Sequence, residues 1–167
     1  RGRIYRIVSK NPAVTRNLKV DLAAQSTAEL VNLLEHPNSW HSETAKRLLL
    51  ERQDKAAIPA LRRLGTARAL WVLEGMSALE PTDLITALKS TDAHLREQAV
   101  RMSESLPISY SLERALLALT ADPDIRVRFQ LALTLGRHAA STNGAAARAA
   151  AGAVAVAVHV EATPATD

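Results

Sequence analysis

The side chains able to do chemistry in this 167-residue chain are few and do not converge. Five histidines, His36, His41, His94, His138 and His159, are scattered, and none is followed by Glu. The spacing therefore supplies no metal-ligating or acid–base set. There is no cysteine, which removes disulfides, thiolate-ligated zinc and a Cys-x-x-Cys-His haem attachment from these residues. Serines are common, yet no Gly-x-Ser-x-Gly elbow, P-loop or Gly-x-Gly-x-x-Gly run accompanies them, so hydrolase, nucleotide and dinucleotide chemistry have no foothold. No catalytic residue, metal ligand or cofactor-binding residue is assigned, and the expectation is a chain without enzymatic activity or cofactor of its own.

What does recur is a charge pattern. Asp92-Ala93-His94-Leu95-Arg96-Glu97-Gln98-Ala99 and Asp124-Ile125-Arg126-Val127-Arg128-Phe129-Gln130-Leu131 both read Asp-x-x-apolar-Arg-x-x-apolar. A degenerate copy runs from Asn38 to Ala45, with Ser42 at the Arg position, and a fourth centres on Ala69 without its Asp and Arg. Asp92 and Asp124 can cap helices. Arg96 and Arg128, one turn further on, can pair with those or neighbouring carboxylates and form a ladder. The matching apolar positions 45, 69, 99 and 131 are 24, 30 and 32 residues apart, the spacing of a stack of helical pairs. Two positions further along stand Arg47, Trp71, Arg101 and Leu133, one per long helix. They form a candidate partner-contact row, since Trp and Arg are enriched among residues that dominate interfaces.

The elements that position these residues are helical. Hydrophobic residues make up 47% of the chain but aromatics only 3%, so a core must be built from Leu, Ala, Val and Ile. Ser26-Thr27-Ala28-Glu29 is a capping-box pattern, His36-Pro37 stops the first helix, and the next begins near Asn38. Further helices are expected near 54–64, 66–77, 81–89, 92–105, 111–120 and 124–138. Gly65, Glu80-Pro81, Ser90-Thr91-Asp92, Pro107 and Asp122-Pro123-Asp124 punctuate them. Trp40, at a helix start, is expected to cover the end of the helix through Leu30 and Leu34. The fold expected is an all-α, right-handed α-solenoid of about four helical hairpins.

Outside that region the pattern changes. Gly2 to Val8 mixes β-branched and aromatic residues in partial alternation, as a single strand would, and residues 1–25 are expected to be an extended segment and linker. Residues 139–167 form an Ala-rich tail with helix propensity but little side-chain volume, read either as a truncated next repeat or as a frame artefact. Its most apolar part, Ala149 to Val158, is too short to span a membrane. The net charge of +4 is spread among interleaved acids, a weak signal for nucleic acid.

The charge motifs resemble HEAT-like repeats of the phycobilisome-lyase type over residues 26–138. The order Gly2-Arg3-Ile4-Tyr5-Arg6-Ile7, His36-Pro37-Asn38-Ser39-Trp40, Thr44 to Arg52, and Ala69-Leu70-Trp71-Val72-Leu73-Glu74-Gly75-Met76 is similar to the middle of large membrane-associated dehydrogenase-like proteins of planctomycetes and related bacteria. In that family a sorbosone-dehydrogenase-like β-propeller comes first, HEAT-like repeats follow, and a cytochrome c domain closes the chain. The resemblance implies that residues 1–25 end a propeller and that the repeats are a non-catalytic spacer between a propeller and a haem acceptor. It also implies a periplasmic or cell-surface location. The alternatives are a nucleic-acid-binding HEAT-like module, as in helical-repeat DNA glycosylases, and a bilin-lyase-like accessory protein, for which no cysteine or aromatic cluster speaks.

Overall fold

Most helices start where a side-chain oxygen can take up a free backbone N–H. A computed structural model describes residues 21–142, with side chains placed as far as His138. Helix α1 (Thr27–Leu33) opens with a full capping box: Ser26 Oγ accepts from the Glu29 amide at 3.3 Å and Glu29 Oε2 accepts from the Ser26 amide at 2.7 Å. The caps of α2 (Ser39–Arg52), α6 (Ala93–Met102) and α8 (Ile125–Thr142) are Asn38, Asp92 and Asp124. Each side chain accepts from the amide two residues on, at 3.0, 2.9 and 2.8 Å.

The remaining helices follow the same logic with other residues. Helix α3 (Ile58–Leu64) follows a 3₁₀ turn at Lys55–Ala57 and ends at Gly65, whose φ of 59° is the left-handed conformation glycine adopts without cost. Thr66 caps α4 (Ala67–Gly75), Pro81 begins α5 (Pro81–Ala87), and Ser109 caps α7 (Tyr110–Leu117). Among the described residues there are eight α-helices and no strand.

Both ends of the repeat region gain detail. Within the expected linker, Leu22 is buried in the core and Arg52 donates to the carbonyl oxygens of Ala23 (2.7 Å) and Gln25 (2.8 Å), which ties residues 21–25 to the helices. At the other end α8 continues past 138 to Thr142, since Ala139 and Ala140 favour helix and no breaker precedes Asn143-Gly144. The strand expected at Gly2–Val8 and most of the Ala-rich tail lie outside the described residues.

Helices pack in pairs, α1 on α2, α3 on α4 and α5 on α6, while α7 reaches α8 through the 3₁₀ turn Ala118–Ala121. The even-numbered helices also pack in succession, α2 on α4, α4 on α6 and α6 on α8. The apolar positions matched in the sequence are buried ones. Ala45, Ala69, Ala99 and Leu131 are all fully buried, and so, one turn later, are Leu49, Leu73, Ser103 and Leu135. Ser103 stays buried by donating to the Val100 carbonyl at 2.6 Å. A fully buried leucine contributes about 1.5–3 kcal/mol, so this Leu-rich seam is the main stabilising term.

Candidate functional site

The Arg positions of the charge motif turn out to organise the loops. Asp122-Pro123-Asp124 precedes α8, and Asp122 Oδ1 accepts from the Asp124 amide at 2.9 Å. Arg96, from α6, closes on that carboxylate with Nε to Oδ2 at 2.7 Å and Nη2 to Oδ1 at 2.9 Å. Its Nη1 donates to the Ser90 and Thr91 carbonyls at 2.8 and 3.1 Å, within the loop before its own helix. Both partners are buried, Arg96 at 9% and Asp122 at 6% exposure. A buried guanidinium needs this degree of satisfaction to be tolerated.

Arg128 repeats the loop clamp one helical pair later, donating through Nη1 to the Asp122 carbonyl as Arg96 does to Ser90. The expected carboxylate partners included the caps Asp92 and Asp124; the residue that Arg96 takes is the neighbouring Asp122. Its signal in the sequence is the Asp-Pro-Asp run, a pattern that marks a turn. Ser90 and His36 stand at the matching place in the other loops. Ser90 Oγ accepts from the Asp92 amide at 3.1 Å and His36 Nδ1 from the Asn38 amide at 3.0 Å. Only Asp122 of these three adds a charge that an arginine can use. Ser42, at the Arg position of α2, is buried and donates to the Ser39 carbonyl at 3.1 Å, so the first loop has no arginine clamp from that position.

The electrostatics follow. Burial pushes the Asp122 carboxyl up, but the Arg96 guanidinium and the Asp124 amide outweigh it and hold it below its ordinary value. Asp124 is lowered to about 2, first by the Arg126 side chain and then by the Arg126 amide. Arg96 is raised by its bond to Asp122, against the opposing effect of burial.

The candidate partner row lies one residue per helix on α2, α4, α6 and α8. Arg47, Arg101 and Leu133 are exposed, Leu133 at 52%. Arg47 pairs within its own helix with Glu51 at 2.8 Å. Trp71 is half-buried, and its Nε1 donates to Gln98 Oε1 of α6 at 3.3 Å. It therefore anchors α4 to α6 and shows only part of its ring, while the other three project outward.

Trp71 also lines a groove of about 470 Å³ across α2, α4 and α6, with Glu35, Glu43, Lys46, Arg68 and His94. Within it Glu43 sits between Lys46 (3.7 Å) and Arg68 (3.9 Å), so the charges alternate in sign. No family model matches this chain, and neither a curated protein nor a solved structure does.

Other sites anticipated or missed can be placed directly. Trp40, expected over the end of α1, is 56% exposed and lies edge-on to His41, with ring centroids 5.2 Å apart, and His41 in turn lies 4.3 Å from the His36 ring just after α1. Glu104, not singled out in the sequence, ties the 3₁₀ turn that follows α6 (Ser103–Ser105) to α8 by accepting from Thr134 Oγ1 at 2.7 Å and from Gln130 at 3.5 Å and by pairing with Arg137. Among the described residues no group of three or more His, Asp or Glu is placed to hold a metal ion, and no helix is long and apolar enough to cross a membrane.

Proposed function

We propose that the chain is a scaffold and protein-docking spacer, built as a right-handed solenoid of four HEAT-like hairpins, within a multidomain redox protein of the dehydrogenase and cytochrome c kind. The observation that carries the scaffold reading is the repeated burial pattern. Ala45, Ala69, Ala99 and Leu131 are sealed inside successive packed helices, and two residues later Arg47, Arg101 and Leu133 are exposed with Trp71 half-buried. A repeated element that buries one position and presents another is suited to offering a partner an extended surface.

The redox context rests on the motif order in residues 2–7, 36–40, 44–52 and 69–76, which resembles that of dehydrogenase-like proteins whose repeats lie between a propeller and a haem domain. On this reading the partners are those adjacent domains of the same polypeptide, and the location is periplasmic or cell-surface. The alternation of Glu43, Lys46 and Arg68 in the groove favours a protein surface of mixed charge over a uniform polyanion such as DNA.

The test is binding of the isolated chain to the neighbouring domains of its parent, with Arg101→Glu and Leu133→Asp as variants. Loss of affinity by tenfold or more in the folded variants is expected. Unchanged binding would contradict the docking role, as would turnover of an alcohol, aldehyde or sugar by the chain with a dye acceptor. DNA binding that weakens steeply with salt would replace it with the nucleic-acid reading.

A further inference from the structure

Helix α4 starts late. Helices α2, α6 and α8 begin at Ser39, Ala93 and Ile125, each six residues before the matched buried positions Ala45, Ala99 and Leu131, whereas α4 begins at Ala67, two residues before Ala69. The difference of four residues is about one helical turn. Its cause is local: α3 runs to Leu64, and only Gly65, left-handed at φ 59°, and the cap Thr66 separate it from α4. No chain is left from which a first turn could be wound. The groove of about 470 Å³ opens at this place, lined by Gly65, Thr66 and Ala67 at the start of α4 and by side chains of the flanking helices α2 and α6.

Its charges do not balance. Glu35, Glu43 and Asp92 stand against Lys46 and Arg68, three carboxylates to two cations, in a chain whose net charge is +4. Both cations are drawn to Glu43, at 3.7 and 3.9 Å, and Arg68 also donates to the Leu34 carbonyl at 3.3 Å. Glu35 accepts from the Thr66 hydroxyl at 2.9 Å and Asp92 from the His94 amide at 2.9 Å, and among the described residues neither forms an ion pair. The two arginines whose charges Asp92 feels, Arg96 and Arg126, are bound to Asp122 and Asp124. Glu35 and Asp92 each keep an oxygen for a further donor.

Trp71 adds an aromatic wall to the same groove. Its bond to Gln98 at 3.3 Å holds the ring in place, so little ordering is needed when a ligand arrives. A guanidinium is attracted to an indole ring, and its planar fork of donors matches a carboxylate. An indole together with two carboxylates that lack a cation is therefore complementary to arginine, and not to an acidic or apolar side chain.

We infer that this groove takes an arginine side chain from a basic segment of the docking partner, with its stem against Trp71 and its guanidinium drawn to Glu35 and Asp92. The inference rests on the docking role proposed above and names the chemistry that the partner brings to it.

In the full chain, Trp40→Phe leaves Trp71 as the sole tryptophan, and its emission reports the groove. Acetyl-triarginine amide at low ionic strength should change that emission saturably, and acetyl-triglutamate amide should not. General attraction to a chain of net charge +4 would give the opposite preference. Glu35→Gln with Asp92→Asn removes both charges but keeps the oxygens that accept from Thr66 and from the His94 amide, as Asn38 does in α2. This double variant should keep its thermal unfolding midpoint and bind triarginine about fivefold or more weakly. A response to triglutamate as strong as that to triarginine, no saturable response to either, or unchanged triarginine affinity in the double variant would overturn the inference. The same variant separates it from the docking role. Neighbouring domains that bind parent and variant equally keep the docking role and overturn the groove assignment. Triarginine binding that depends on Glu35 and Asp92, in a chain that those domains do not bind, supports the groove and removes the role.

Discussion

Arg96 and Asp122 stand 26 residues apart, and the guanidinium of the first holds both carboxylate oxygens of the second while its remaining nitrogen ties down the loop before α6. The pair joins the first turn of α6 to the loop that precedes α8, the second helix of the next pair. It fixes register between α6 and α8 more than it adds net stability, since a buried ion pair gains little over a well-packed apolar one.

Removing one partner should nevertheless be severe. Arg96→Ala leaves Asp122 buried with an uncompensated charge and is expected to cost about 3–5 kcal/mol in urea denaturation. Arg96→Met with Asp122→Asn, which keeps the side-chain oxygen available to the Asp124 amide, should recover part of that loss. A double variant as unstable as the sum of its singles would show that the two residues do not act as a pair.

The helix caps should behave as a set. Asn38→Ala, Asp92→Ala and Asp124→Ala each remove the acceptor for one first-turn amide and should each cost about 1 kcal/mol. A loss confined to one of the three would mean that the equivalence of the three helix starts is only apparent.

Acid should weaken the fold through Asp122 and Asp124. Both are held below their ordinary values when folded, so the unfolded chain binds more protons as pH falls and stability drops with it. Their contribution is fully present above the unfolded carboxylate value and is lost as pH passes down through the folded one, which for Asp124 is about 2. Denaturation midpoints measured down this range should fall less steeply in Asp124→Asn than in the parent chain.

Neighbouring leucines on α8 offer the clearest contrast. Leu131 is fully buried and Leu133 is 52% exposed, so Leu131→Ala should cost about 2–5 kcal/mol. Leu133→Ala should change stability by no more than about 0.5 kcal/mol. Comparable losses at both positions would break the alignment of buried and presented residues.

Much of this was legible in the sequence for a definite reason. Helix starts carry local signals, so Ser26, Asn38, Asp92 and Asp124 marked the beginnings of α1, α2, α6 and α8 closely. The period of buried residues could likewise be read from 45, 69, 99 and 131. What could not be read was which carboxylate Arg96 would choose, because Asp92, Asp122 and Asp124 are alike in sequence and only the packing of α6 against the loop before α8 separates them. Glu104 was missed for the same reason: its partners lie 26 to 33 residues away, on a helix whose rotation no local pattern specifies.

The most direct test of the redox-spacer reading is to isolate the natural polypeptide that carries this sequence, measure its mass and record its reduced-minus-oxidised absorption spectrum. A polypeptide much longer than these 18.0 kDa, with the absorption bands of a c-type haem, is the expected result. A polypeptide of about this mass with no haem absorption would contradict the account and leave a free-standing helical adaptor in its place.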